Sequence, residues 1–288
     1  MAVRHVLTAV LCASAAVSAH AQDITAQSLL DKNLEARGGA QALAAIKAIQ
    51  FNGKMIFPGD FELAYGEIRA RGGGDGIEAR MEGNVQGLTY TQGYDGQTAW
   101  RINPFQGRKD PETMSADEAR SMADSSRVAG VLQDARTDGS TITYLGREDF
   151  DGTSAYKLKV TQKDGDEFTY LLDPDTYLEI KITESRKVRG APQTSETELG
   201  DYEKVDGVYF PMSVESWSQG QSNQRQRVII ETAQANPALN PALFAEPHGP
   251  TSPMIGGAPP DASNKQPETP PTKPAPTQPE DPSQPKGE

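Results

Sequence analysis

Three stretches of the chain repeat one piece of backbone chemistry. Tyr94-Asp95-Gly96-Gln97-Thr98-Ala99-Trp100 is echoed by Phe150-Asp151-Gly152-Thr153-Ser154-Ala155-Tyr156, and more loosely by Val205-Asp206-Gly207-Val208-Tyr209-Phe210-Pro211. An Asp-Gly pair supplies the positive φ that a tight hairpin needs, and the aromatic after it opens the return strand. A chain punctuated in this way folds back on itself repeatedly, laying each strand beside the one before it. The echo is read as repeated hairpin chemistry in one continuous sheet, not as duplicated binding sites.

The segments between the turns fit that reading. Residues 51–57, 61–71, 77–81, 88–93 and 98–103 read as strands, broken by Pro58-Gly59-Asp60, by Gly72-Gly73-Gly74-Asp75-Gly76 and by Asp95-Gly96. Strands resume at 141–145 and continue through 155–161, 167–172, 177–184, 194–202, 208–217 and 226–232. Tyr156, Leu158 and Val160 alternate with Lys157, Lys159 and Thr161, which gives a strand one buried face. Leu178, Ile180 and Ile182 alternate with Glu179, Lys181 and Thr183 in the same way.

Helices enter at three places. Ile24, Leu29, Leu30, Leu34, Leu43, Ile46 and Ile49 recur at helical spacing, and Arg37-Gly38-Gly39 interrupts them, so helices are predicted over 25–36 and 40–47. Ser115-Ala116-Asp117-Glu118 is a capping box that opens a helix predicted to run to about Asp134. The stretch from Asn236-Pro237 to Phe244 reads as a short helical closing segment. The predicted class is α+β, mainly antiparallel β.

The ends differ from the middle. Arg4, the apolar run from Val6 to Val17 and Ala19-His20-Ala21 have the form of a secretory signal, so residues 1–21 are predicted to be a leader and the site of action periplasmic. From Pro250 onward twelve of the chain's 21 prolines are mixed with Thr, Gln, Ser, Lys and Glu. Such a composition cannot bury enough apolar surface to offset its ordering entropy, and 249–288 is predicted to be a disordered Pro-rich tail. That leaves 22–248 for one sizeable domain.

Several chemistries are disfavoured. The one cysteine, Cys12, and two of the three histidines, His5 and His20, fall in the leader, which leaves the mature chain only His248. Ser-His-Asp and Cys-His catalysis and a histidine zinc site lose their residues. The carboxylate clusters Asp149/Asp151, Asp164/Asp166/Glu167 and Asp173/Asp175 sit in turns and lack calcium-loop spacing. The glycine-rich run lacks the Lys-Ser/Thr of a phosphate loop and joins two strands. A net charge of −12 argues against nucleic acid. The chain is expected to be no enzyme and to need no cofactor or metal.

One motif reaches further. Asp95-Gly96-Gln97-Thr98-Ala99-Trp100-Arg101-Ile102-Asn103-Pro104-Phe105 resembles the D-G-x-T-x-W-x-x-N-P-F signature of the periplasmic lipoprotein carriers of the LolA type. The resemblance covers eleven residues, joined by the Leu-Phe-x-x-Pro ending from Leu243 to Pro247. It implies an unclosed half β-barrel of about 11 strands, with helices over its concave face, that shelters acyl chains of lipoproteins or other envelope lipids. Tyr90, Tyr94, Trp100, Ile102, Tyr156, Leu158, Tyr170, Leu172 and Phe210 are then the candidate cavity lining. The carriers have a functional arginine in a strand of this region, and Arg71 is its nearest counterpart, although Gly72 stands where the carriers have proline. Some relatives of the carriers bind envelope signalling proteins, so a regulatory module with an envelope membrane protein as partner is the alternative, and the Pro-rich tail favours it.

Overall fold

The protein is described here from a computed structural model, over residues 24–247. The predicted leader and Pro-rich tail lie outside the described residues. Thirteen strands form one antiparallel sheet in the order β6-β5-β4-β3-β2-β1-β13-β12-β11-β10-β9-β8-β7. The sheet does not close on itself, and β6 and β7 are its two free edges. The mainly antiparallel, unclosed architecture matches the sequence reading. The count is thirteen and not about 11; the two-residue edge strand β6, Glu112–Thr113, has no alternation to read.

The order describes two meanders sewn together. One runs outward from β1 (Ala48–Phe57) through β2 (Phe61–Ala70), β3 (Glu78–Val85), β4 (Leu88–Tyr94) and β5 (Ala99–Ile102) to β6. The other runs inward from β7 (Thr141–Phe150) through β8 (Thr153–Thr161), β9 (Glu167–Leu172), β10 (Glu179–Val188), β11 (Ala191–Val205) and β12 (Val208–Ser218) to β13 (Gln226–Ala235). β13 pairs with β1, with Phe51 opposite Ala233. The chain between β6 and β7 must therefore travel from one edge of the open sheet to the other. The only helices on that path are α3 (Ala116–Ser125) and α4 (Val131–Asp134).

The turns behave as their residues dictate. Asp151-Gly152 and Asp206-Gly207 both have positive φ at each position (50° and 81°, 46° and 88°), the geometry of a tight hairpin between twisted strands. Gly38 sits against the second of these turns at φ +116°, where a Cβ would lie 2.1 Å from the Gly207 carbonyl oxygen. Only glycine admits that approach. It seats the junction of α1 (Ala26–Ala36) and α2 (Ala40–Ala45) on the start of β12.

Helices cover one face of the sheet. Thr25 caps α1 in a reciprocal capping box with Ser28, and α1 buries Leu29, Leu30 and Asn33. Leu29 and Leu30 pack with Val131 and Leu132 of α4 on Leu158, Val160, Phe168 and Leu172. Leu43 and Ile46 pack on Ile49, Phe51, Val208 and Phe210. Met122 and Ala123 of α3 cover Ile77, Ala79, Tyr94 and Ala99. Ser115 and Glu118 form the predicted capping box. The single helix expected from there to Asp134 is instead two, because Gly130 at φ 80° breaks the path before α4. The opposite face carries a smaller core, Ala48, Ile68 and Ala70 under Leu243 and Phe244. The closing segment contributes these through one 3-10 turn, Pro241–Leu243.

Candidate functional site

Between the helix-covered face and the α3–α4 crossing lies a cavity of about 270 Å³. Its sheet wall is built by alternation. Tyr170 pairs with Ile182, Thr197 with Ser216 and Leu199 with Val214, so these side chains share one face of β9–β12. Phe168 and Phe210 extend this wall, and Val128 and Val131 close it from the crossing. The lining is mixed: these apolar side chains stand beside charged groups and the hydroxyls of Ser125, Thr197, Tyr202 and Ser216.

Those charged groups are paired. Arg37, the C-cap of α1, donates from Nε to the Tyr209 carbonyl at 2.9 Å and from Nη1 to Glu179 Oε1 at 3.3 Å. Arg37 and Glu179 are 7% and 5% exposed. Tyr202 donates its hydroxyl to the Glu179 carbonyl oxygen at 2.8 Å; burial, reinforced by the Glu179 charge, pushes the Tyr202 phenol well above its ordinary range. Across the cavity Arg69 donates twice to Glu67, at 2.9 Å each, and the Tyr65 hydroxyl donates to Glu67 at 2.7 Å. Burial raises the Tyr65 phenol in the same way. Arg127 joins Asp124 at 3.1 Å to Asp134 at 3.3 Å along the crossing.

A second polar knot ties α3 to the sheet. Arg186, on β10, lies 3.4 Å from Asp124 Oδ2 and 3.4 Å from Asp166 Oδ2, and it also contacts Glu184. Burial lifts the Asp166 and Glu184 carboxyls above their usual range, against the pull of Arg186.

The predicted lining residues divide into four groups. Tyr170 and Phe210 line the cavity. Tyr156, Leu158 and Leu172 share its face but are packed under α1 and α4. Tyr94 lies farther along that face, beneath α3, with its hydroxyl donating to Asp75 Oδ2 at 2.5 Å. Tyr90, two residue pairs along β4, is half-buried and accepts a hydrogen bond from Gln92. Trp100 and Ile102 are on the opposite face. Trp100 pairs with Gly93, Tyr94 with Ala99, and only the latter pair meets α3. Trp100 is wholly buried there, its indole N–H donating to the Phe244 carbonyl at 2.8 Å. Arg71 donates to the Ile46 carbonyl at 3.1 Å, beyond the end of β2; the arginine of β2 that reaches the cavity is Arg69.

Arg37, Glu179 and Arg69 were missed by pattern reading. Arg69 had a signal, because Glu67 two residues earlier shares its side of the strand. Glu179 had none. Plain alternation turns it outward with Lys181, but a bulge between Glu179 and Lys181 turns it inward, opposite Leu172.

Among the described residues no group of three or more His, Cys, Asp or Glu side chains is arranged to hold a metal ion. No helix there is long and apolar enough to cross a membrane.

Solved structures share this fold. The chain is similar to a DUF1329 family protein from Desulfovibrio piger, with 13% identity over 76% of this chain and 97% of that one, at a TM-score of 0.54. It is similar to a domain from Vibrio parahaemolyticus described as an outer membrane lipoprotein-sorting protein, with 13% identity over 75% and 95% of the two chains and a TM-score of 0.50. At such identities the likeness shows a common fold, the unclosed sheet with helices on one face. No protein-family model and no curated protein matches the sequence.

Proposed function

We propose that the protein is a periplasmic, non-catalytic carrier that shields the apolar chain of an envelope lipid or lipoprotein in the cavity beneath the α3–α4 crossing. One observation carries the reading: a cavity with an apolar wall of Phe168, Tyr170, Ile182, Leu199, Phe210 and Val214, whose lining arginines already have carboxylate partners. The sorting role ascribed to the Vibrio parahaemolyticus domain of like fold supports it. Residues 1–21 act as the leader and 22–248 as the carrier domain.

Magnitudes limit what the cavity alone can hold. Its volume of about 270 Å³ accepts about nine methylenes, if each takes roughly the 30 Å³ of a water molecule. At ~0.8 kcal/mol each that is about 7 kcal/mol, against an association cost of ~4–15 kcal/mol. Useful affinity therefore requires either an opening of the α3–α4 crossing to admit more chain or contacts to the polar end of the ligand. A carrier that must also release its cargo gains from such a modest apolar term.

The test is native mass spectrometry of the mature protein purified gently from the periplasm, with organic extraction and lipid analysis. A co-purifying amphiphile near one per chain is the expected result. A clean ligand-free mass, together with no uptake of a fluorescent fatty acid, overturns the reading. The Pro-rich composition of 249–288 favours a second reading, a regulatory module that docks an envelope membrane protein. Deleting 249–288 separates the two: lost partner binding with unchanged lipid binding identifies the regulator.

A further inference from the structure

The wall of β10–β12 changes character along its length. Even-numbered residues of β10 and β12 and the odd-numbered 195, 197 and 199 of β11 share the helix-covered face. Near the floor that face presents Leu199 and Val214 to the cavity, with Ile182 level with the step above them. One step further along come Thr197 and Ser216, whose hydroxyls lie 3.0 Å apart. The next step brings Ser195 opposite Ser218. These two line a separate cleft of about 820 Å³, whose other wall is Asp117, Glu118 and Ser121 of α3. Glu184 lines both spaces, so cleft and cavity adjoin on one stripe of sheet. From Phe210 to Ser218 the stripe runs roughly 26 Å at about 3.3 Å per residue.

The cleft has a definite chemistry. Ser121, Ser195 and Ser218 supply hydroxyls; Gln193, Gln219 and Gln221 supply amides. Its charges are three carboxylates, Asp117, Glu118 and Glu184, against one guanidinium, Arg186. Arg186 is 7% exposed and already faces Asp124, Asp166 and Glu184. A phosphate or carboxylate entering here would meet carboxylates of like charge, and the only cation on the lining, Arg186, is committed to Glu184, Asp124 and Asp166. A neutral polyol meets a row of hydroxyls and side-chain amides.

On this basis, and resting on the carrier reading above, we infer that the ligand is an amphiphile with a large, hydroxyl-rich headgroup that carries no negative charge. Its chain enters the 270 Å³ cavity, and its headgroup fills the cleft between the first turns of α3 and β10–β12. Sugar-headed lipids have this chemistry; anionic phospholipids do not.

Isothermal titration of the mature protein with three probes of equal chain length tests the inference: decyl maltoside, decyl phosphate and decanol, each below its aggregation concentration. The maltoside is expected to bind at least tenfold more tightly than decanol, and the phosphate no more tightly than decanol. Ser195→Leu and Ser218→Leu, each checked for native circular dichroism, are expected to bring the maltoside to the level of decanol while leaving decanol unchanged. Equal affinity for all three probes overturns the inference and leaves the carrier reading standing. Tightest binding of the phosphate overturns it too, by making the cleft an anion site. Binding of none of them, decanol included, removes the carrier reading itself.

Discussion

Replacing Arg37 by methionine isolates the buried pair at the margin of the cavity. Methionine keeps the stem that packs near the Phe210 ring, whose centroid lies 5.7 Å from the guanidinium carbon. It removes the hydrogen bonds to the Tyr209 carbonyl and to Glu179, and the long one, 3.5 Å, to the Ala129 carbonyl. Glu179, 5% exposed, is then left with the Tyr202 hydroxyl, 3.4 Å from its Oε2, as its remaining side-chain partner. A buried carboxylate stripped of its cation costs about 3–5 kcal/mol. For a domain of this size that lowers the melting temperature by roughly 6–20 °C. The double variant R37M/E179M removes both charges and is expected to recover most of the loss, to within ~2 kcal/mol of the parent. Urea unfolding followed by circular dichroism measures all three proteins, with an unchanged slope required before midpoints are compared. A single variant within 1 kcal/mol of the parent refutes the reasoning, as does a double variant no better than the single one.

Further predictions address the cavity, the opposite face and pH. Val214→Phe fills the cavity from its sheet wall and is expected to reduce uptake of a fluorescent fatty acid more than tenfold with the fold intact; unchanged uptake would place the ligand elsewhere. Trp100→Phe leaves the Phe244 carbonyl without its donor and should cost about 1–3 kcal/mol in urea unfolding, yet leave fatty-acid affinity unchanged because Trp100 lies on the other face. Burial raises the Asp166 and Glu184 carboxyls, so the folded state binds protons more strongly than the unfolded one, and stability should rise as pH falls from neutrality toward their folded values. Glu184→Gln should flatten that slope in thermal melts. Glu118 has the opposite sign: its hydrogen bonds from Ser115, with Arg101 adding to them, hold it at about 2, below its ordinary 4.5. Its contribution is complete above pH 4.5 and lost as pH falls toward 2, and Glu118→Gln should remove that part of the acid limb.

The sequence by itself determined the strands, their sense and most of their partners. Asp-Gly turns and period-two alternation are local, and short turns leave antiparallel pairing with the previous strand as the only reachable arrangement. The capping boxes at Thr25 and Ser115 are local for the same reason, although only the second has the usual sequence pattern; the first uses Ser28 in place of Glu or Gln. Tyr170 and Phe210 were legible as site residues because alternation places them on the buried face. Tertiary structure decided the remainder. Alternation sorts residues into two faces within a strand, but it does not say which face the helices cover. Trp100 and Tyr94, six residues apart across a turn, were grouped together, and the β4–β5 register put them on opposite sides. The bulge at Glu179 reversed a side chain that local pattern sent outward, and the ion pair with Arg37 spans 142 positions. The seam between β1 and β13 joins the two ends of the domain, and it forces the α3–α4 crossing over the open sheet. The cavity exists because of that crossing. Its walls come from strands and helices far apart in the chain, so no window of local sequence contains it.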